Sequence, residues 1–169
     1  MRDHSVIFHE KQRFRQWWIL LFLAVLNGKI IYGLILQIKD GIPFGNQPMS
    51  DNGLRWAAGL LLLVTIILLT TTLETKIQQD GIYVRFFPLH LKFKYIPWSD
   101  LNKCYVRTYS PIREYGGWGW RIGFSGRAYN VAGRKGLQLH SDSKKLLIGT
   151  QKPEELEATL KQLNQWKYE

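Results

Sequence analysis

Residues 60–87 read LLLLVTIILLTTTLETKIQQDGIYVRFF, and two different periods meet inside them. Up to Leu73 the apolar residues are nearly continuous. From Thr75 onward they alternate, with Ile82, Val84 and Phe86 on one side and Tyr83, Arg85 and Phe87 on the other. A continuous apolar run of helical length suits a membrane span, whereas alternation suits a strand with one covered face. Asp80-Gly81, just ahead of the alternating part, is a two-residue hairpin signal. The chain therefore divides near residue 74 into an apolar first part and a strand-rich second part.

Toward the N-terminus, residues 54–73 form one candidate span and residues 17–36 another. At 1.5 Å per residue, about 20 residues just cross a hydrocarbon core of roughly 30 Å. Trp17 and Trp18 open the first run and Trp56 opens the second, where an aromatic ring with a polar edge suits the headgroup zone. Between the runs lie Gly41, Pro43, Gly45, Pro48 and Gly53, a composition for turns. The expectation is a two-helix transmembrane hairpin over residues 17–73, behind a basic N-terminal tail at residues 1–16. The first run follows basic residues as a signal peptide's core does. Its sequel, QIKDGIP at residues 37–43, carries no small-x-small cleavage signal, so it reads as a retained anchor.

Charge gives the orientation. The whole chain of 169 residues is 46% apolar and 21% charged, with a net charge of +10. That length holds one domain with an anchor and excludes multi-domain machinery. Lys11, Arg13 and Arg15 precede the first run, with Arg2 further out and Asp3 and Glu10 opposing them; Lys76 and Arg85 follow the second. The loop has only Lys39 and Arg55. By the positive-inside rule both termini are cytoplasmic. Lys29, inside the first run, costs about 2.5–3.5 kcal/mol at the centre of a bilayer. It either snorkels to the headgroups or meets an intramembrane partner. Thr65 and the Thr70-Thr71-Thr72 run are expected to return hydrogen bonds to their own helix rather than to line a transport path.

In the second part, Leu89, Leu91, Phe93 and Tyr95 alternate with His90, Lys92 and Lys94, a pattern for a half-buried strand with a basic outer face. Further strands are expected at residues 102–109, 120–125, 128–131, 136–141 and 144–149, giving about seven or eight short antiparallel strands. At Pro153 the period changes. Glu154 and Glu155 suit a helix N-terminus, and Leu156, Leu160 and Leu163 recur on one helical face, so a helix over roughly residues 153–167 closes the domain. Residues 75–169 are thus an α+β domain, an antiparallel barrel or sandwich capped by a C-terminal helix, with pleckstrin-homology-like first among the candidates.

The phrases carrying a resemblance are Asp80-Gly81-Ile82, IPWSDL at residues 96–101, YGGWGWR at 115–121, AYNV at 128–131, GLQL at 136–139 and LIGTQKPEE at 147–155. With the apolar hairpin ahead of them, the chain resembles uncharacterised bacterial membrane proteins with a two-helix hairpin and a pleckstrin-homology-like domain. The resemblance implies a fold and a location in the bacterial inner membrane, multi-pass, with both termini cytoplasmic. It implies no catalytic residue, ligand or cofactor.

Residues 113–121 are the most unusual stretch. Gly117-x-Gly119 lacks a third glycine at the nucleotide-binding spacing, and strand-like residues follow where a helix is needed. Either the glycines provide positive φ in a loop on which Trp118 and Trp120 pack, or Tyr115, Trp118 and Arg121 form an interaction surface. Trp120 alternates with Ile122 and Phe124 and is expected in the core, with Trp118 outside. The single cysteine, Cys104, has no neighbouring His in sequence and reads as core packing. His4, His9, His90 and His140 are scattered, so no metal, cofactor or catalytic site is expected. Asp100, Glu114 and Asp142 sit among turn residues and read as turn formers.

Three function classes remain open. The first is a non-catalytic, membrane-anchored interaction or scaffolding module that binds a protein partner or itself. The alternative is recognition of anionic lipid headgroups by Lys92, Lys94, Arg127, Arg134, Lys135, Lys144 and Lys145, since basic residues are drawn to an anionic leaflet. Nucleic acid is the weakest class, because an intramembrane anchor does not suit it.

Overall fold

The computed structural model describes residues 6–14, 16–123, 125–142 and 144–168. The expectations for Arg2, Asp3, His4, Arg15 and Phe124 fall outside them. The chain forms two compact units, Arg15–Thr70 and the combination of Met1–Phe14 with Thr71–Glu169.

In the first unit, α1 (Trp17–Leu34) continues into a π-helical turn, Ile35–Lys39, and α2 spans Asp51–Thr70. Both helices are long and apolar enough to cross a membrane. The second starts and stops earlier than the 54–73 expected from hydropathy. Ser50 caps it, its Oγ accepting from the Gly53 amide at 3.2 Å. Beyond Thr70, Leu73 is fully buried in a strand instead. Thr65 and Thr70 donate to the carbonyls of Leu61 and Ile66 at 2.8 and 2.7 Å, the self-bonding their spacing suggests. Thr65 Oγ1 also accepts from Asn27 Nδ2 at 3.0 Å, linking the two helices. Lys29 is exposed on α1. In the connection, Gln37 donates to the Met49 carbonyl at 2.7 Å and to Asp51 Oδ1 at 2.8 Å, and Phe44 packs over Gly33, where a Cβ would collide with its ring.

The second unit has nine strands among the described residues, in two sheets. The first sheet has the order β1-β2-β3-β4, from Phe8–Arg13, Thr72–Ile77, Gly81–Phe87 and Lys94–Pro97. The second has the order β5-β8-β9-β7-β6, from Lys103–Thr108 (β5), Gly119–Gly123 (β6), Gly126–Asn130 (β7), Lys135–Ser141 (β8) and Lys144–Gly149 (β9). All pairs are antiparallel except β7 with β9, which is parallel, a departure from the all-antiparallel expectation. Two further helices are α3 (Pro111–Tyr115) and α4 (Pro153–Gln162).

Within the expected tail at residues 1–16, residues 8–13 form a strand instead. β1 pairs along its whole length with β2, from Phe8↔Ile77 to Arg13↔Thr72, so the helical unit is inserted between two neighbouring strands of one sheet. The inward side chains of β1 are Phe8, Glu10 and Gln12, all buried. Glu10 accepts from Thr150 Oγ1 at 2.6 Å and from the Gln151 amide at 2.7 Å, and Gln12 donates to the Gly149 carbonyl at 2.7 Å. Buried polar groups need such partners, and these come from about 140 positions later in the chain.

Residues 89–93 are not a strand. Pro88 has no N–H to extend the ladder past β3, and the His90 amide turns back to the Phe86 carbonyl at 2.8 Å. Leu89 and Leu91 are consequently exposed. The closing helix also stops short of residue 167. Asn164 adopts a left-handed φ of 53°, and Lys167 then pairs with Cys104, exchanging hydrogen bonds of 2.8 and 3.0 Å.

The strands of the two sheets cross. β9 begins at Lys144, which shares a cavity with Lys94 of β4, and ends at Gly149 beside Gln12 of β1. β1 and β4 are the opposite edges of the first sheet. The order of the second sheet therefore runs along the strands of the first. Trp98 Nε1, just ahead of β5, donates to the Gln78 carbonyl after β2 at 3.2 Å, and Tyr129 of β7 lies 6.1 Å from Phe86 near the end of β3. Ile77, Ile82, Val84, Leu137, Ile148, Leu156 and Leu160 fill the space between sheets and α4. Burying each contributes about 1.5–3 kcal/mol.

Candidate interaction surface

The glycine-rich stretch is organised by α3. Pro111 occupies its first turn, Glu114 Oε1 accepts from the Ser110 amide at 2.7 Å, and Glu114 Oε2 accepts from Arg107 Nη2 at 2.6 Å. That hydrogen bond from Arg107 holds the Glu114 carboxyl below its usual range, against the opposing effect of burial. Gly116 ends the helix with φ 70°, a left-handed conformation that favours glycine. Tyr115 points inward and is buried with Tyr109, Ala128 and Leu147, its ring 6.0 Å from that of Tyr109. It cannot belong to a contact surface. Of the three residues expected there, Arg121 is exposed and Trp118 half-buried; Arg121 Nε donates to the Trp118 carbonyl at 3.0 Å, and Trp118 Nε1 to the Gly133 carbonyl at 3.3 Å.

Trp120 is exposed, contrary to the expectation that it packs in the core, and so is Ile122. The reason is β6's place at the edge of the second sheet, beyond β7, whose Tyr129 already lies near the end of the first sheet at Phe86. Alternation marked the strand correctly, but among the described residues no layer covers the face of Trp120 and Ile122.

The seven basic candidates fall at four places. Lys94, Arg127 and Lys144 come together: burial first, then the charges of Arg127 and Lys144, hold the Lys94 ammonium below its usual range. Lys145 pairs opposite His140, beside Lys103. Burial and then Lys145, Lys103 and Arg107 depress the His140 imidazole. Arg134 and Lys135 lie at the other end of β8, roughly 20 Å away at 3.3 Å per residue. Lys92 is exposed in the β3–β4 connection. Next to Lys94 and Lys144 is a cavity of about 220 Å³, walled by Ile96, Leu101, Leu139 and Leu146 with Asp100 at its rim. That is smaller than a pocket for a drug-sized ligand, roughly 300–1,000 Å³.

A second polar cluster escaped sequence reading. On the outer face of the first sheet Glu74 accepts from Arg85 Nη2 at 2.6 Å and from His9 Nε2 at 2.9 Å, with Lys76 Nζ at 3.6 Å. Burial alone would raise the Glu74 pKa, but the hydrogen bonds from Arg85 and His9 outweigh it and hold the carboxyl below its usual value. The Phe93 ring lies 4.6 Å from both Lys76 and Arg85. Cross-strand register joins Glu74 to Arg85, a pairing visible only once β2 is a strand. Burial pushes the Cys104 thiol up to about 12, which leaves it protonated and inert at neutral pH.

These features define a class: a two-sheet β unit with a short helix between β5 and β6 and a closing C-terminal helix, interrupted between its first two strands by a pair of helices apolar enough to span a bilayer. The chain belongs to a family of unknown function (DUF6141), whose model matches residues 2–163. Comparison with curated proteins and with solved structures gives no match.

Proposed function

We propose that this chain is an integral membrane protein of the bacterial inner membrane whose β unit, of pleckstrin-homology-like type, is a non-catalytic interaction module on the cytoplasmic side. The observation that carries this reading is the insertion of two exposed apolar helices between paired strands β1 and β2. Because both strand ends lead directly into helices, the β unit is tethered by two covalent connections. Such a unit suits a scaffold that holds a protein partner, or a second copy, at the membrane.

Topology is tested by labelling from outside intact cells. A cysteine at Asn46 should react and one at Gln165 should not; the reverse pattern would sink the proposed orientation. The module reading is tested by crosslinking within the membrane. A discrete, saturable protein partner supports it, whereas recovery of lipid alone favours headgroup recognition. That second reading draws on Lys94 and Lys144 lining one cavity and on the repulsion that Lys94 feels from Arg127 and Lys144, which an anion would relieve.

A further inference from the structure

The β unit leaves two segments uncovered at one end. The first is the connection between β3 and β4, where Leu89 is 57% exposed and Leu91 72% exposed. The second is edge strand β6, where Trp120 is 38% and Ile122 65% exposed. Large apolar groups of this kind scattered singly are ordinary, but these share a location. Phe87, where β3 ends, pairs with Thr72, where β2 begins, and Thr72 pairs with Arg13, where β1 ends. This is the end of the first sheet at which the chain runs into and out of the apolar helices. β6 lies toward the same end, because the second sheet is stacked along the first with β7 at Phe86 and β6 outermost.

The charged residues neighbouring these apolar side chains in sequence are basic, while the nearby Glu74 and Glu114 are paired with Arg85 and Arg107. Lys92 and Lys94 adjoin the exposed leucines, Arg127 pairs opposite Ile122 with Arg121 on the other face of β6, and Arg13 is exposed at the end of β1. Neither residues 87–94 nor residues 118–127 contain an Asp or Glu. Aromatic and aliphatic side chains ringed by Lys and Arg are the composition that partitions into the boundary between headgroups and acyl chains of an anionic bilayer.

We infer that edge strand β6 and the β3–β4 connection form a rim that seats on the anionic surface of the bilayer holding the two apolar helices. The inference rests on the membrane-anchored reading given above. Seating the rim covers Leu89, Leu91, Trp120 and Ile122 and also shields the free edge of β6 from pairing with another strand, a standing hazard of open sheet edges. The attraction is additive over the basic side chains and screened by salt.

The test uses the full chain in vesicles of phosphatidylcholine and phosphatidylglycerol in equal parts, with a quencher attached to the lipids near the headgroup for the labels on the β unit and on the acyl chain for the label on α2. Fluorophores go singly on Leu91→Cys, Ile122→Cys, Leu62→Cys in α2 and Tyr168→Cys. Tyr168 is exposed and its ring lies 4.8 Å from Tyr105 of β5, at the opposite edge of the second sheet. Cys104 is buried and stays unlabelled. Each label sits on an exposed side chain, so the fold is kept. The rim labels should be quenched severalfold more than the Tyr168 label, and the difference should shrink in phosphatidylcholine alone and in high salt. A quenched Leu62 label with rim labels no closer to lipid than Tyr168 would overturn the rim while leaving the anchor standing. An unquenched Leu62 label would overturn the anchor and the rim with it. Disulfide-linked dimers through Ile122→Cys without lipid quenching would also overturn it, assigning the β6 edge to a second copy.

Discussion

The two edges of the second sheet, β5 and β6, are similar strands with different surroundings. β5 is covered: Lys167 bridges to Cys104, the Tyr168 ring packs against Tyr105, and α4 contributes Leu156 and Leu160 to the core beneath. β6 meets the short helix α3 at Gly123, where a Cβ would collide with the Glu114 carbonyl, but on its other face Trp120 and Ile122 point outward. The difference teaches that a strand's alternation states only that two faces exist. Which face is buried depends on whether another layer reaches that far.

The largest effect concerns what the covered part needs in order to fold. A fragment of residues 75–169 lacks β1 and the start of β2, and should show no cooperative transition, because Phe8, Leu73 and the bonds of Glu10 and Gln12 are gone. A chain joining residues 6–14 to residues 71–168 through a short linker should fold, as near-UV circular dichroism would show. Native signal from the shorter fragment would refute the role assigned to β1.

Next in size is Leu160→Asp in the full chain. Leu160 is fully buried, and an unpaired carboxylate there costs several kcal/mol, enough to abolish the native protease resistance of the β unit. Resistance equal to wild type would show that α4 does not close the core.

The openness of the β6 edge is tested by Ile122→Ala set against Leu137→Ala in the interior strand β8. Leu137 is fully buried in β8, so truncation should cost about 2–5 kcal/mol by urea unfolding. Ile122 is exposed, and its loss should stay within about 0.5 kcal/mol. Equal costs would mean that the β6 edge is covered after all.

The smallest effect is that of pH. Glu74 is held below its usual pKa, so its contribution is present above about pH 4.5, the unfolded value, and is lost as pH falls through the folded one. His90 and His140 are also lowered, chiefly by burial, so acidification below about 6.5 favours the unfolded chain, which takes up protons more readily. Stability should therefore fall monotonically from neutral to acid. Glu74→Gln should reduce the lower part of that slope, leaving the share of Glu114, and His140→Gln should reduce the upper part, both read from the unfolding midpoint.

Much of this was legible locally. Asp80-Gly81 marks the β2–β3 turn, Ile82, Val84 and Phe86 are the buried face of β3, and residues 144–149 are a strand with the bounds their pattern suggests. The glycines at 116, 117 and 119 do take positive φ. These features depend on neighbours in sequence: turn chemistry, two-residue periodicity and the freedom of a residue without a Cβ. The two long apolar helices were legible for the same reason, since length and composition are local properties.

What only tertiary structure decided was who covers whom. FHEKQR at residues 8–13 reads as a polar tail because Glu10 and Gln12 look like solvent-facing residues. They are buried because Gly149, Thr150 and Gln151 supply their hydrogen bonds from the far end of the chain. LHLKF at residues 89–93 reads as a strand and is a loop, because Pro88 ends the ladder and β4 resumes pairing only at Lys94. Trp120 reads as core and is exposed, because the first sheet ends near Phe86. Alternation is fixed by the pleat of a single strand, while burial is fixed by a second layer, and its position is set by pairings between residues more than a hundred positions apart.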